Sequence, residues 1–144
     1  MNHVVNVRGY GIRITDLTQD AANRFVLAHK SCIEETEILA AAEKGLSLEE
    51  WENVLETEDD YGHIGIGPVI ADIMAKETGI LFEIHRDSED NEAAVMLSYC
   101  APWEYTETEK NLTSDRMNRI LHTFADELGL PAIDVGTQSI DYIC

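Results

Sequence analysis

Hydrophobic and polar positions change period several times along these 144 residues, and each change marks an element. Val4-Val5-Asn6-Val7 and Tyr10-Gly11-Ile12-Arg13-Ile14 are β-branched and partly alternating, as a strand is, with Gly9 and Gly11 as bulge or close-approach positions. Thr15-Asp16 ends the strand. Leu17, Ala21, Phe25 and Ala28 then recur at helical spacing, so a helix is expected over 16–30. Ser31 offers a cap for a second helix, with Ile33, Glu37 and Ala40 on one side, Ile38, Leu39 and Ala42 on the next, and Gly45 closing it. In Leu46-Ser47-Leu48-Glu49-Glu50-Trp51, Ser47 and Glu50 form a capping box and Leu46 can staple onto Trp51. A third helix follows, with Trp51, Val54 and Leu55 inward and Glu49, Glu52 and Glu56 outward.

Tyr61-Gly62-His63-Ile64-Gly65-Ile66-Gly67-Pro68 runs straight into Val69, Ile70, Ile73, Met74 and Glu77 at helical spacing, with Gly79 as the closing residue. A strand is expected over 80–87, a polar turn at Ser88-Glu89-Asp90-Asn91, and a second strand over 93–100, the pair forming a hairpin. Pro102 ends that strand or places it at an edge. Thr113 or Ser114 caps a last helix with Met117, Ile120, Leu121, Phe124 and Leu128 in one stripe and Gly129 at its end. Ile133 and Val135, then Ile140, Tyr142 and Cys144, alternate as one or two terminal strands around Gly136. Strands at both ends with helices clustered between them predict a single α+β domain over 1–144, its sheet mostly antiparallel.

Composition narrows the function classes. The net charge is −18, and residues 31–60 hold eleven acids against the single base Lys44, a local charge of −10. Such a surface is wrong for phosphate or an anionic membrane, so no direct nucleic-acid or membrane partner is expected. It suits either solubility alone or docking on a basic protein surface that ordinarily holds nucleic acid. No apolar run reaches the length of a membrane span, and the N-terminus lacks the pattern of a signal peptide. Cys32, Cys100 and Cys144 are odd in number and widely spaced, which reads as reduced thiols in a cytosol.

Four candidate sites emerge. Gly62, Gly65 and Gly67 before a helix could cradle an anion on backbone N–H groups, although Pro68 removes a donor and no Lys-Ser/Thr follows. A tight turn is the simpler role. Glu83, His85 and Asp87 share one face of a strand and could bind a metal or move a proton, but a half-solvated hairpin is polar on one face anyway. Cys100 and His85 lack a third partner for thiol chemistry. Trp103 and Tyr105 suit an exposed aromatic anchor, while core packing is the commoner fate of such rings. No cofactor, metal or catalytic residue is expected.

In size, acidity, cysteine usage and lack of a catalytic signature, the chain resembles the small accessory proteins of bacteriophages and mobile elements, among them the anti-CRISPR proteins. That resemblance is one of overall character and aligns no residues. It implies a non-enzymatic inhibitor that covers a basic nucleic-acid-binding cleft of a host defence effector. The surface expected to do so is Glu49, Glu52, Glu56, Glu58, Asp59 and Asp60, joined by Trp103 and Tyr105. The alternative is a small enzyme or anion-binding domain centred on residues 62–68 and the Glu83/His85/Asp87 face.

Overall fold

A computed structural model of the chain describes residues 4–54, 65–86, 92–97 and 112–143, with the backbone alone at 4–8, 92–97 and 139–143. Strand β1 (Val4–Arg13) is followed by helices α1 (Gln19–Ala28), α2 (Thr36–Lys44), α3 (Leu48–Trp51) and α4 (Ile66–Thr78). Then come strands β2 (Glu83–Arg86) and β3 (Glu92–Leu97), helix α5 (Ser114–Leu128) and strand β4 (Val135–Ile143). Among the described residues, all strand pairs are antiparallel, in one four-stranded sheet of order β2-β3-β1-β4. The protein is therefore α+β, as the distribution of strand and helix patterns predicts.

Register sorts the sheet into two faces. Ile12 and Ile84 both lie opposite Ala94, in one cross-strand row, and both are completely buried. Tyr10, two residues before Ile12, reaches Ser114 at the start of α5 through its hydroxyl. This is the face on which the helices lie: α4 packs on β2 and β3, α5 on β1 and β4, and α1 bridges α2, α4 and α5. Phe25, Trp51, Ile70, Ile73, Met74, Leu121 and Leu128 fill the layer between. Gly11 and Glu83, both paired with residue 95, belong to the row that faces the other way.

Helix ends follow local chemistry. Gly45, Gly79 and Gly129 close α2, α4 and α5 in the left-handed conformation. The Thr113 hydroxyl accepts the Arg116 N–H at the start of α5. The capping box is complete, with the Glu50 N–H donating to Ser47 Oγ and the Ser47 N–H to Glu50 Oε1, each at 3.1 Å. Ser47→Ala should therefore cost about 1 kcal/mol in a denaturant titration; a cost near zero would mean that the box does not hold α3.

Several boundaries differ from the sequence expectations. Helix α1 starts at Gln19, because the Leu17 N–H turns back to the Ile14 carbonyl and the cap is Thr18, whose hydroxyl accepts the Ala21 N–H. Ala28, expected on the buried side, is exposed. Ser31 caps no helix: Lys30–Cys32 is a 3-10 turn, and the chain stays extended at Ile33 and Glu35 before α2 begins. Extension lets Ile33 reach the core, where it is buried. Within α2 it is Ile38, Ala41 and Ala42 that face inward, while Glu37 and Ala40 face out. Helix α3 is one turn long, with Trp51 buried and Val54 half-buried beyond it; Leu55 lies outside the described residues.

Strand β2 is shorter than 80–87. The Thr78 hydroxyl takes the Ile80 N–H, and Ile80 and Phe82 drop into the core before pairing starts at Glu83. Ile133 belongs to the 3-10 turn Ala132–Asp134 and is 88% exposed, so the C-terminal strand is single and begins at Val135. The polar turn at 88–91 and the Cys100, Pro102 and Cys144 positions lie outside the described residues.

Candidate functional site

The acidic segment is built on a rigid seat. Trp51 is wholly buried, and its indole N–H donates to Asn23 Oδ1 at 3.0 Å. Asn23, itself buried on α1, donates its amide to the Gln19 and Leu46 carbonyls, both at 2.9 Å. One side chain thereby ties α1, the turn after α2 and α3 together. With Ile38, Ala41, Ala42 and Trp51 turned inward, helical geometry leaves Glu37, Glu43, Glu49 and Glu52 in solvent, and Glu34 is exposed just before α2.

None of these five glutamates has an ion-pair partner within 4 Å among the described residues. Glu50 is used locally, and the Ser47 backbone N–H, with the Ser47 hydroxyl second, holds its carboxyl below the usual value. Lys76 is bonded to Asp72 at 2.9 Å, with Glu35 and Glu34 further off, so this base is already committed. Of the expected partner-binding residues, the structure thus brings Glu49 and Glu52 onto one exposed flank. Glu56, Glu58, Asp59, Asp60, Trp103 and Tyr105 lie outside the described residues.

At the glycine loop, Gly65 has φ 94° and precedes α4, a conformation that L side chains rarely adopt. Gly65, Ile66, Gly67 and Pro68 are all buried. A β-carbon on Gly65 would lie 3.5 Å from Cγ of Glu52, so an acidic residue occupies the space next to this helix N-terminus. Gly62 lies outside the described residues.

Glu83 and His85 share a sheet face, as alternation predicts, with Glu83 Oε2 and His85 Nε2 3.6 Å apart. The expectation that this face is a solvated one is corrected. The two side chains are only 18% and 13% exposed, and Gln138, on a neighbouring row of the same face, is buried. Asp87 lies outside the described residues.

A further cluster had no place in the sequence expectations. His29 ends α1, packed on Phe25 with ring centroids 4.6 Å apart, and its Nε2 lies 2.5 Å from Glu127 Oε2 of α5. On its other side, Nδ1 is 3.4 Å from Glu77 Oε1 of α4. The same oxygen accepts the Cys32 thiol at 2.7 Å, and Lys76 donates to the Cys32 carbonyl at 3.0 Å. A shallow cavity of about 300 Å³, lined by Arg24, Phe25, Ala28, His29 and Glu127, opens beside it. His29 and Cys32 are three residues apart in sequence, but nothing local links them to Glu77 or Glu127. Only the packing of α1, α4 and α5 does.

The chemistry of this cluster is that of a clip. The Glu77 hydrogen bond raises the Cys32 thiol above its ordinary value of 9.0, which disfavours the nucleophilic thiolate. The thiol and then the His29 hydrogen bond hold Glu77 below its ordinary 4.5. Among the described residues, no group of three or more His, Cys, Asp or Glu is arranged to hold a metal ion.

The two shifts set a pH window. Glu77's contribution is present above 4.5 and is lost as pH falls from there through its lower folded value. Cys32's is present below 9.0 and is lost as pH rises from there through its higher folded value. Thermal melts of Cys32→Ala should show a flatter alkaline limb than the parent protein. An unchanged alkaline limb would show that the thiol bond does not contribute.

No protein-family model matches the chain, and no match was found among curated proteins or among solved structures.

Proposed function

We propose that this protein acts by binding another protein, laying its glutamate-rich helical surface on a basic cleft that otherwise holds nucleic acid. A host defence effector, such as a CRISPR-Cas nuclease, is the kind of target that this chemistry fits. The observation that supports the reading is the set of exposed glutamates Glu34, Glu37, Glu43, Glu49 and Glu52, without an ion-pair partner among the described residues, on elements held in place by Asn23 and Trp51. Side chains serving packing alone have no need of uncompensated like charge, which opposes the folded state. A rigid seat also lowers the entropy lost when such a surface docks. No described helix is long and apolar enough to cross a membrane, and Cys32 is a free thiol. We place the activity in a reducing cytosol.

The test is a charge-neutralised variant, Glu49→Gln, Glu52→Gln, Glu56→Gln and Asp59→Asn, compared with the parent protein in capture from host lysate and then in association kinetics. Each rim charge should contribute about 0.5 kcal/mol, chiefly through the association rate. Raising salt should weaken the parent protein more than the variant, since the Debye length falls to about 8 Å at physiological ionic strength. If capture, affinity and salt slope are all unchanged, the acidity serves solubility and the proposal fails.

A further inference from the structure

Three helices end around one imidazole. Helix α1 stops at Ala28 with His29 as its cap, Glu77 is the last residue but one of α4, and Glu127 the last but one of α5. The carbonyl end of a helix is electronegative, so His29 sits among three such ends and two carboxyl groups. Neither α1 nor α5 has Lys or Arg in its last turn. Lys76, in the last turn of α4, is already bonded to Asp72 and to the Cys32 carbonyl. Arg24 lines the shallow cavity one turn back on α1, with its Nε on the Asp20 carbonyl. The other neighbours are the Cys32 thiol, bonded to Glu77, and the rings of Phe25 and Phe124.

A neutral imidazole carries one N–H. Placed on Nε2, it serves Glu127 at 2.5 Å and leaves the Nδ1 lone pair 3.4 Å from Glu77 Oε1, acceptor against acceptor. Placed on Nδ1, it turns the Nε2 lone pair on Glu127 instead. Imidazolium donates on both sides. Glu77 Oε1 still has room for the Cys32 thiol, because a carboxylate oxygen has two lone pairs. We propose that His29 is a proton-operated latch: with its second proton it fastens α4 as well as α5 to the end of α1, and on losing that proton it keeps Glu127 and releases Glu77. Imidazole changes charge between about pH 5 and 8, and Glu77, held below its ordinary 4.5, is ionised throughout that range. The stability that depends on the proton is therefore present at the acid end of the range and lost as pH rises through it. The parts set loose are the 3-10 turn that carries Cys32 and the last turn of α4.

The chain holds other histidines, so the test compares His29→Gln with the parent protein at the two ends of this range. In urea unfolding, His29→Gln should lower the folded-to-unfolded ratio by about twofold to fivefold more at the acid end than at the alkaline end, the worth of a partly exposed cation at helix ends. Glu77→Gln should do the opposite of stiffening the acid form: its amide donates to a neutral Nδ1, so relative to the parent it should fare better at the alkaline end. Native-state hydrogen exchange, corrected for intrinsic rates, locates the change. The Cys32 and Ile33 amides, bonded to the His29 and Lys30 carbonyls, should lose about twofold to fivefold of their protection as pH rises. The Gly129 and Leu130 amides at the end of α5 should keep theirs, and in Glu77→Gln the loss at Cys32 and Ile33 should vanish. If His29→Gln does not fold, exchange in the parent and in Glu77→Gln decides the matter. A His29→Gln cost that is equal at both ends of the range, or protection at Cys32 and Ile33 that does not follow pH, overturns the proposal and leaves His29 a static cap. Neither readout involves Glu49 or Glu52, so the proposed function is tested separately.

Discussion

Trp51→Ala should destabilise the protein by about 3–5 kcal/mol, which is a large part of the total for a domain of this size. Two costs add. The largest fully buried side chain among the described residues is deleted from the core, and the surroundings relax only partially into the cavity left behind. In addition, the Asn23 carbonyl oxygen, buried and bonded to the indole, loses its donor. Trp51→Phe separates the terms: it keeps most of the apolar volume and strands only Asn23, at about 1–3 kcal/mol. Asn23→Leu should cost at least as much as Trp51→Phe, because it orphans the indole N–H and removes a donor from the Leu46 carbonyl. Urea unfolding followed by far-ultraviolet circular dichroism measures all three. A loss below about 1 kcal/mol for Trp51→Ala would mean that the acidic segment is seated by something other than this pair. The same variant bears on function, since loosening α3 should slow partner association even with every glutamate present.

Phe25→Ala should cost about 3–5 kcal/mol as well, and should do something that Trp51→Ala does not. Phe25 is 1% exposed, meets Phe124 edge-on with centroids 6.1 Å apart, and packs on the His29 ring, which itself lies 6.2 Å from Phe124. Removing it opens the α1–α5 contact and frees His29 from the position in which Glu127 and Glu77 hold it. The pH dependence linked to Glu77 should therefore shrink together with the stability. Phe25→Leu keeps much of the volume and should cost about 1–1.5 kcal/mol, the worth of the aromatic pair beyond its buried area. Melting curves at neutral and acid pH give both quantities. If Phe25→Ala lowers stability equally at every pH, the ring packs the core but does not position the clip.

The features legible in the sequence were those decided within a few residues. Ser47 and Glu50 satisfy each other's N–H groups across one turn, Thr113 takes the Arg116 N–H, and Gly45, Gly79 and Gly129 supply left-handed positions that other residues resist. Of the expected stripe, Met117, Leu121, Phe124 and Leu128 are buried and Ile120 is half-buried, and alternation put Glu83 beside His85. The exposure of Glu49 and Glu52 follows from the same helical period that buries Trp51.

Where local rules offered two equivalent answers, the tertiary structure chose. Asp16 and Thr18 are both competent caps, and the turn that buries Ile14 and Leu17 selected Thr18. Ser31 is a good cap by type, yet the core takes Ile33 only from an extended chain, so the helix starts later. Ile133 fits an alternating strand by pattern but precedes the residues that β1 pairs, and so stays in solvent. Glu77 and Glu127 have no local sequence relation to His29 and Cys32 or to each other. They meet because α1, α4 and α5 bury their apolar stripes against one another, and the polar residues at the ends of those stripes are carried along. Charge and caps belong to the sequence by itself, because each depends on neighbours a turn away. The clip depends on which elements pack together, a choice made by burial summed over the whole core.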